Sequence, residues 1–130
     1  MVSYKGTAGE LIKMLYSCSA SVAKKKENMK YYYIIHGHGN DAVVPDKSDI
    51  DLYDKGVITR KGFELNYGIK LRRNEAYDWM ERVSVEAGHG DVVLVGDEEG
   101  EEKIYRTVLA EMMASMFGGK MKFRYGGDLK

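Results

Sequence analysis

The sequence predicts a single α+β domain, with about three helices packed on one mixed or antiparallel sheet. Segments with apolar residues at helical spacing are interspersed with short runs of β-branched and aromatic residues. Hydrophobic residues make up 44% of 130 residues and proline occurs once, which suits one buried core and argues against disorder. Helices and strands that follow one another in this order pack as helices on one sheet.

The first helix is expected over about residues 8–26. Thr7 and Glu10 form a capping box. Leu11, Leu15, Cys18 and Val22 recur at helical spacing, and Lys24, Lys25 and Lys26 suit the negative end of the helix dipole. Cys18 on that stripe reads as a core thiol rather than a nucleophile. Lys30 to Ile35 is aromatic and β-branched and reads as a strand. The glycine-rich segment from Gly37 to Lys47 must turn. Val57 to Leu71 contains two extended runs around Lys61-Gly62, a hairpin pattern.

Asn74 can cap a second helix with Ala76, Trp79, Met80, Val83 and Ala87 on one face and Gly88 as its stop. Asp91 to Val95 is the second strand. The acidic residues from Asp97 to Glu102 precede a third helix that carries Ile104, Val108, Met112 and Met116 and stops at Gly118-Gly119. Residues 1–117 thus make the domain, and 118–130 a Gly-rich basic C-terminal arm or edge strand.

Charge and cysteine usage exclude several classes. Lys plus Arg equals Asp plus Glu at twenty each, so no global field draws in nucleic acid or an anionic membrane. The single cysteine excludes a disulfide within the chain and fits a reducing compartment. Lys5 and Glu10 interrupt the apolar core that a secretory signal needs. No apolar run approaches the roughly 20 residues that span a bilayer. A cytoplasmic or other intracellular location follows, the interior of a virion included.

Two stretches carry chemistry. Gly37-His38-Gly39-Asn40-Asp41-Ala42-Val43-Val44 is echoed by Gly88-His89-Gly90-Asp91-Val92-Val93. The echo reads as one turn used twice, ahead of convergence of His36, His38 and His89 on a metal. Asp49-Ile50-Asp51-Leu52 lies ten residues after Gly37-His38. With that spacing the chain resembles the nucleotidyltransferase superfamily. The resemblance implies Mg²⁺ or Mn²⁺ held by Asp49 and Asp51 on one strand, with Asp91 as third carboxylate, and phosphoryl transfer as the chemistry. His38 stands where that family has a small residue.

The same residues resemble the JAMM metalloproteases through His36-x-His38 and Ser48-x-x-Asp51. That resemblance implies Zn²⁺ on His36, His38 and Asp51, an activated water, and a helix capped by Ser48. Gly39 stands where that family has proline, and one helix upstream leaves little room for its earlier strands.

The C-terminal arm alternates apolar and basic residues. Met121, Phe123 and Tyr125 would face one way, and Lys120, Lys122 and Arg124 the other. Such an arm closes its own sheet or adds a strand to a neighbour. The acidic run from Asp97 to Glu102 supplies a complementary surface for head-to-tail assembly. Small assembly subunits of phages and multiprotein particles have this general appearance. An assembly or interaction subunit that requires no cofactor ranks first. It contacts itself or another protein through Met121, Phe123, Arg124 and Tyr125. Transferase chemistry ranks second and zinc hydrolysis third.

Overall fold

The computed structural model describes residues 13–23, 28–97 and 104–129. The Thr7–Glu10 capping box, the three lysines at 24–26 and the acidic residues at 98–102 lie outside the described residues. Four strands form one sheet: β1 (Lys13–Ser19), β2 (Met29–Tyr33), β3 (Asp91–Gly96) and β4 (Phe123–Asp128). Their order across the sheet is β2-β3-β1-β4. Four main helices accompany them: α1 (Lys47–Asp54), α2 (Arg60–Leu71), α3 (Asn74–Ala87) and α4 (Ile104–Met113).

All three strand pairs are parallel, which corrects the mixed or antiparallel sheet read from the sequence. Parallel neighbours need long return connections. Helices α1 to α3 fill the one between β2 and β3, and α4 fills the one between β3 and β4. Asp91-Val92-Val93-Leu94-Val95-Gly96 is an almost unbroken apolar run because both of its faces are covered. Leu15, Val92 and Leu94 face a core built with Tyr67, Leu71, Met80, Val83, Leu109 and Met113 from the helices. Cys18, Val93 and Val95 face the other way, under Tyr16, Tyr31 and Tyr33.

Three further readings change. Lys13–Ser19 is a strand between β3 and β4, not the middle of a helix over 8–26. Leu15 and Cys18, which looked like one helical stripe, belong to opposite faces of the sheet. The expected hairpin at Val57–Leu71 is the helix α2, whose N-cap Thr59 accepts a hydrogen bond from the Gly62 amide at 3.0 Å. The last helix does not stop at Gly118-Gly119. It passes through a π-helical turn at Ala114–Gly118 and ends after Met121, where Lys122 takes a left-handed φ of 61°.

Other elements match their patterns. The strand read at Lys30–Ile35 is β2, the strand at Asp91–Val95 is β3, and α3 stops at Gly88 as read, although its N-cap is Arg73 and the expected cap Asn74 is its first helical residue. Gly88 is also a packing requirement. A Cβ there would lie 2.1 Å from the carbonyl oxygen of Met121, so only glycine lets α3 end against the last turn of the chain's final helix.

Candidate functional site

The segment after β2 is pinned from every side. Gly37 and Gly39 have φ of 86° and 84°, which glycine adopts without a Cβ clash. Asn40 donates to the Tyr33 carbonyl at 2.8 Å and accepts from the Trp79 indole at 3.0 Å. His36 Nε2 donates to the Pro45 carbonyl at 2.9 Å, while Nδ1 lies 3.6 Å from Asp41. The Gly37 amide hydrogen bond holds the Asp41 carboxyl below its usual range. Tyr67 donates to the Val43 carbonyl, and Lys70 Nζ reaches the Val44 carbonyl at 2.5 Å and Asp46 at 2.9 Å. Val43 and Val44 are thereby carried into the core. The polar groups that suggested chemistry hold the loop in place.

The two metal-donor sets do not assemble. Asp49-Ile50-Asp51-Leu52 is helical, so residues two apart point about 200° apart instead of sharing a sheet face. Asp49 accepts from Asn66 at 3.4 Å, and Asp51 pairs with Lys55 at 2.9 Å. Asp91 opens β3 at the other end of the sheet and accepts from the Met14 amide at 2.9 Å. For the zinc set, His36 is bonded to Pro45, His38 stacks on Tyr33 at 5.7 Å, and Asp51 faces Lys55. The helix start is Asp46, with Ser48 already inside α1. His89 sits before β3, at the end of the sheet opposite His36. Among the described residues no three His, Cys, Asp or Glu side chains are grouped to hold a metal. The donors present fit neither ion.

The echoed motif serves two structures. Asp41 opens a 3₁₀ turn with positive-φ glycines before it, whereas Asp91 opens β3. A shared sequence does not give a shared conformation here.

The C-terminal residues form a surface feature. Phe123 is buried, Arg124 is exposed, and Tyr125 is half-buried, so the alternation expected of a strand holds over these three positions. Met121 packs against the core from the last helical turn. Beside β4 runs an open groove of ≈ 520 Å³. Ala114, Gly118 and Gly119 line one side, and Lys122, Phe123, Arg124 and Tyr125 the other. Gly118 lies too close to the Phe123 carbonyl for a Cβ, so it lets the helix pack on β4, and Gly119 borders open space. The lining is predominantly apolar, with a basic rim from Lys122 and Arg124.

The far end of β4 is anchored by a cluster that the sequence reading missed. Arg106 donates to both carboxylate oxygens of Asp128, from Nε at 2.8 Å and Nη2 at 3.1 Å. Ser17 donates to Asp128 at 2.7 Å and lies 2.5 Å from the Tyr125 hydroxyl. Burial pushes the Tyr125 hydroxyl upward in pKa. A lone arginine within an apolar helix, Ile104-Tyr105-Arg106-Thr107-Val108-Leu109, was the available signal.

Comparison with protein-family models, with curated proteins and with solved structures finds no match to this chain.

Proposed function

We propose that this chain is an interaction subunit whose groove along β4 receives an extended, acidic segment of a neighbouring protein chain. The observation that carries the reading is the groove itself. Its apolar floor and basic rim are formed by Lys122, Phe123, Arg124 and Tyr125 against Ala114, Gly118 and Gly119. An extended segment lying there gains apolar burial from the half-buried Tyr125 and charge pairing at the exposed Lys122 and Arg124. A second copy supplies the complementary sequence, since five carboxylates fall between Asp97 and Glu102. Asp97 follows the C-terminal end of β3, whereas the groove flanks the N-terminal end of β4. In a parallel sheet these are opposite ends. Copies placed end to end therefore bring unlike charges together in a heterologous contact.

The contact is tested by sedimentation of the full chain with Lys122→Glu and Arg124→Glu introduced together. Both changes fall outside the core, so the fold is retained. The expected result is a wild-type mass above the monomer at low salt that falls as salt rises, because exposed charges are screened within about 10 Å at 0.1 M. The charge-reversed variant should lack this salt-dependent association. A wild-type chain whose mass is unaffected by either change would overturn the proposal.

A further inference from the structure

Opposite β1, strand β4 carries one extra residue. Leu15 pairs with Tyr125, yet Tyr16 pairs with Gly127 and Ser17 with Asp128, so Gly126 bulges out of the ladder. In unbroken register Gly127 would stand opposite Ser17. The bulge puts Asp128 there instead, on the sheet face that carries Leu15 and Tyr125. A directed chain of hydrogen bonds results. Ser17 gives its one hydroxyl proton to Asp128 at 2.7 Å, so in the 2.5 Å contact with Tyr125 the phenol is the donor. Arg106 closes the far end on both Asp128 oxygens, at 2.8 and 3.1 Å. Ser17 is 0% exposed and Arg106 1%, which keeps water from competing for these bonds.

We infer that Ser17, Asp128 and Arg106 are positioning residues of the β4 groove: through the phenol they hold the Tyr125 ring as a fixed wall. This rests on the groove reading, in which the half-buried Tyr125 gives an extended segment its apolar contact. A tethered ring is already ordered when a segment packs on it, whereas a free tyrosine loses rotamer freedom on binding. Along its own strand the ring has little else beside it, since the next two residues are Gly126 and Gly127. The tether acts from inside the protein. Ser17 and Arg106 are buried out of reach of a docked segment, so their influence passes through Asp128 and Tyr125. Sequence spacing hides the arrangement, because Ser17 and Tyr125 lie 108 positions apart and the bulge aligns them.

Two measurements on the full chain test this. In tyrosine-labelled protein at high salt, where the groove contact is screened, nuclear magnetic resonance follows the Tyr125 ring, assigned by its loss in Tyr125→Phe. Ser17→Ala should move the ring signals toward those of free tyrosine, with circular dichroism checking the fold. Sedimentation equilibrium at low salt then compares the wild type, Ser17→Ala, Tyr125→Phe and the double variant. Either single change should weaken association about three- to tenfold, the size of one net hydrogen bond. The double variant should lose no more, since both changes cut the same bond. Tyr125→Phe cuts it with the ring kept, so the test stands even where Ser17→Ala fails to fold. Unmoved ring signals, undiminished association of the single variants beside an associating wild type, or losses that multiply in the double variant overturn the inference. A wild type that stays monomeric at low salt overturns the groove reading instead, and the ring signals still decide whether the chain of bonds holds Tyr125.

Discussion

Arg106 and Asp128 form a two-point ion pair at the interior end of the edge strand, with side chains only 2% and 12% exposed. It ties α4 to β4 where Asp128 pairs with Ser17 of β1. Removing one member leaves the other buried without its countercharge. Asp128→Ala should therefore cost about 3–5 kcal/mol, read as a lowered urea midpoint. Arg106→Met combined with Asp128→Leu should recover part of that loss, because the lone buried charge is gone.

Trp79 is the single tryptophan of the chain and is 3% exposed. Its ring meets Tyr32 edge-on at 5.6 Å, and its indole N–H bonds Asn40. Trp79→Ala should cost about 3–5 kcal/mol. Trp79→Phe should cost less, since it keeps most of the ring volume and loses the hydrogen bond to the loop. Thermal melts of the two variants followed by circular dichroism decide between packing and polar contributions.

Ser84 Oγ is fully buried and has no hydrogen-bond partner among the described residues. An unsatisfied buried hydroxyl destabilises the fold, and alanine is the better helix former. Ser84→Ala should raise stability by about 1 kcal/mol, measured by chemical denaturation.

Burial pushes the Cys18 thiol up in pKa, and the nearby Arg106 offsets only part of that. The thiolate is thus scarce at neutral pH, and Cys18 as a whole is 1% exposed. Native protein should react with an aromatic disulfide reagent at least about a hundredfold more slowly than the urea-unfolded chain, because access requires opening of the sheet. Equal rates would mean that the β1 face is open.

Two carboxylates give acid sensitivity of known sign. The Lys70 hydrogen bond holds Asp46 below its usual range. At Glu86 burial acts upward, but hydrogen bonds from Lys30 and Tyr32 outweigh it and the carboxyl is lowered. Groups depressed by folding stabilise fully above their unfolded values, about 3.9 for Asp and 4.3 for Glu, and lose that contribution as pH falls through the lower folded values. Urea midpoints should thus be level from about pH 7 to 5 and fall below about pH 4. Lys70→Met should make that fall shallower.

The sequence by itself determined the α+β class, two of the four described strands, the helix that stops at Gly88 and the helix that begins at Ile104. Each depends on a local signal: valine and tyrosine runs, an apolar stripe at helical period, and a glycine that ends it. Local pattern also put Cys18 and Trp79 in the core. The tertiary structure alone decided the rest, because some patterns satisfy two periods at once. Phe63, Leu65, Tyr67, Ile69 and Leu71 alternate as a strand would, yet positions four apart also make the buried stripe of α2. Only the core that accepts Phe63, Tyr67 and Leu71 selects the helix and leaves Leu65 and Ile69 outside. Leu15 and Cys18 fit one helical face or two faces of a buried strand, and pairing with β3 and β4 chooses the strand. Asp49 and Asp51 would share a face only in extended chain, and the helix that follows the pinned loop turns them apart. The groove beside β4 required three-dimensional proximity, since it joins glycines of the last helix to residues of the strand that follows it.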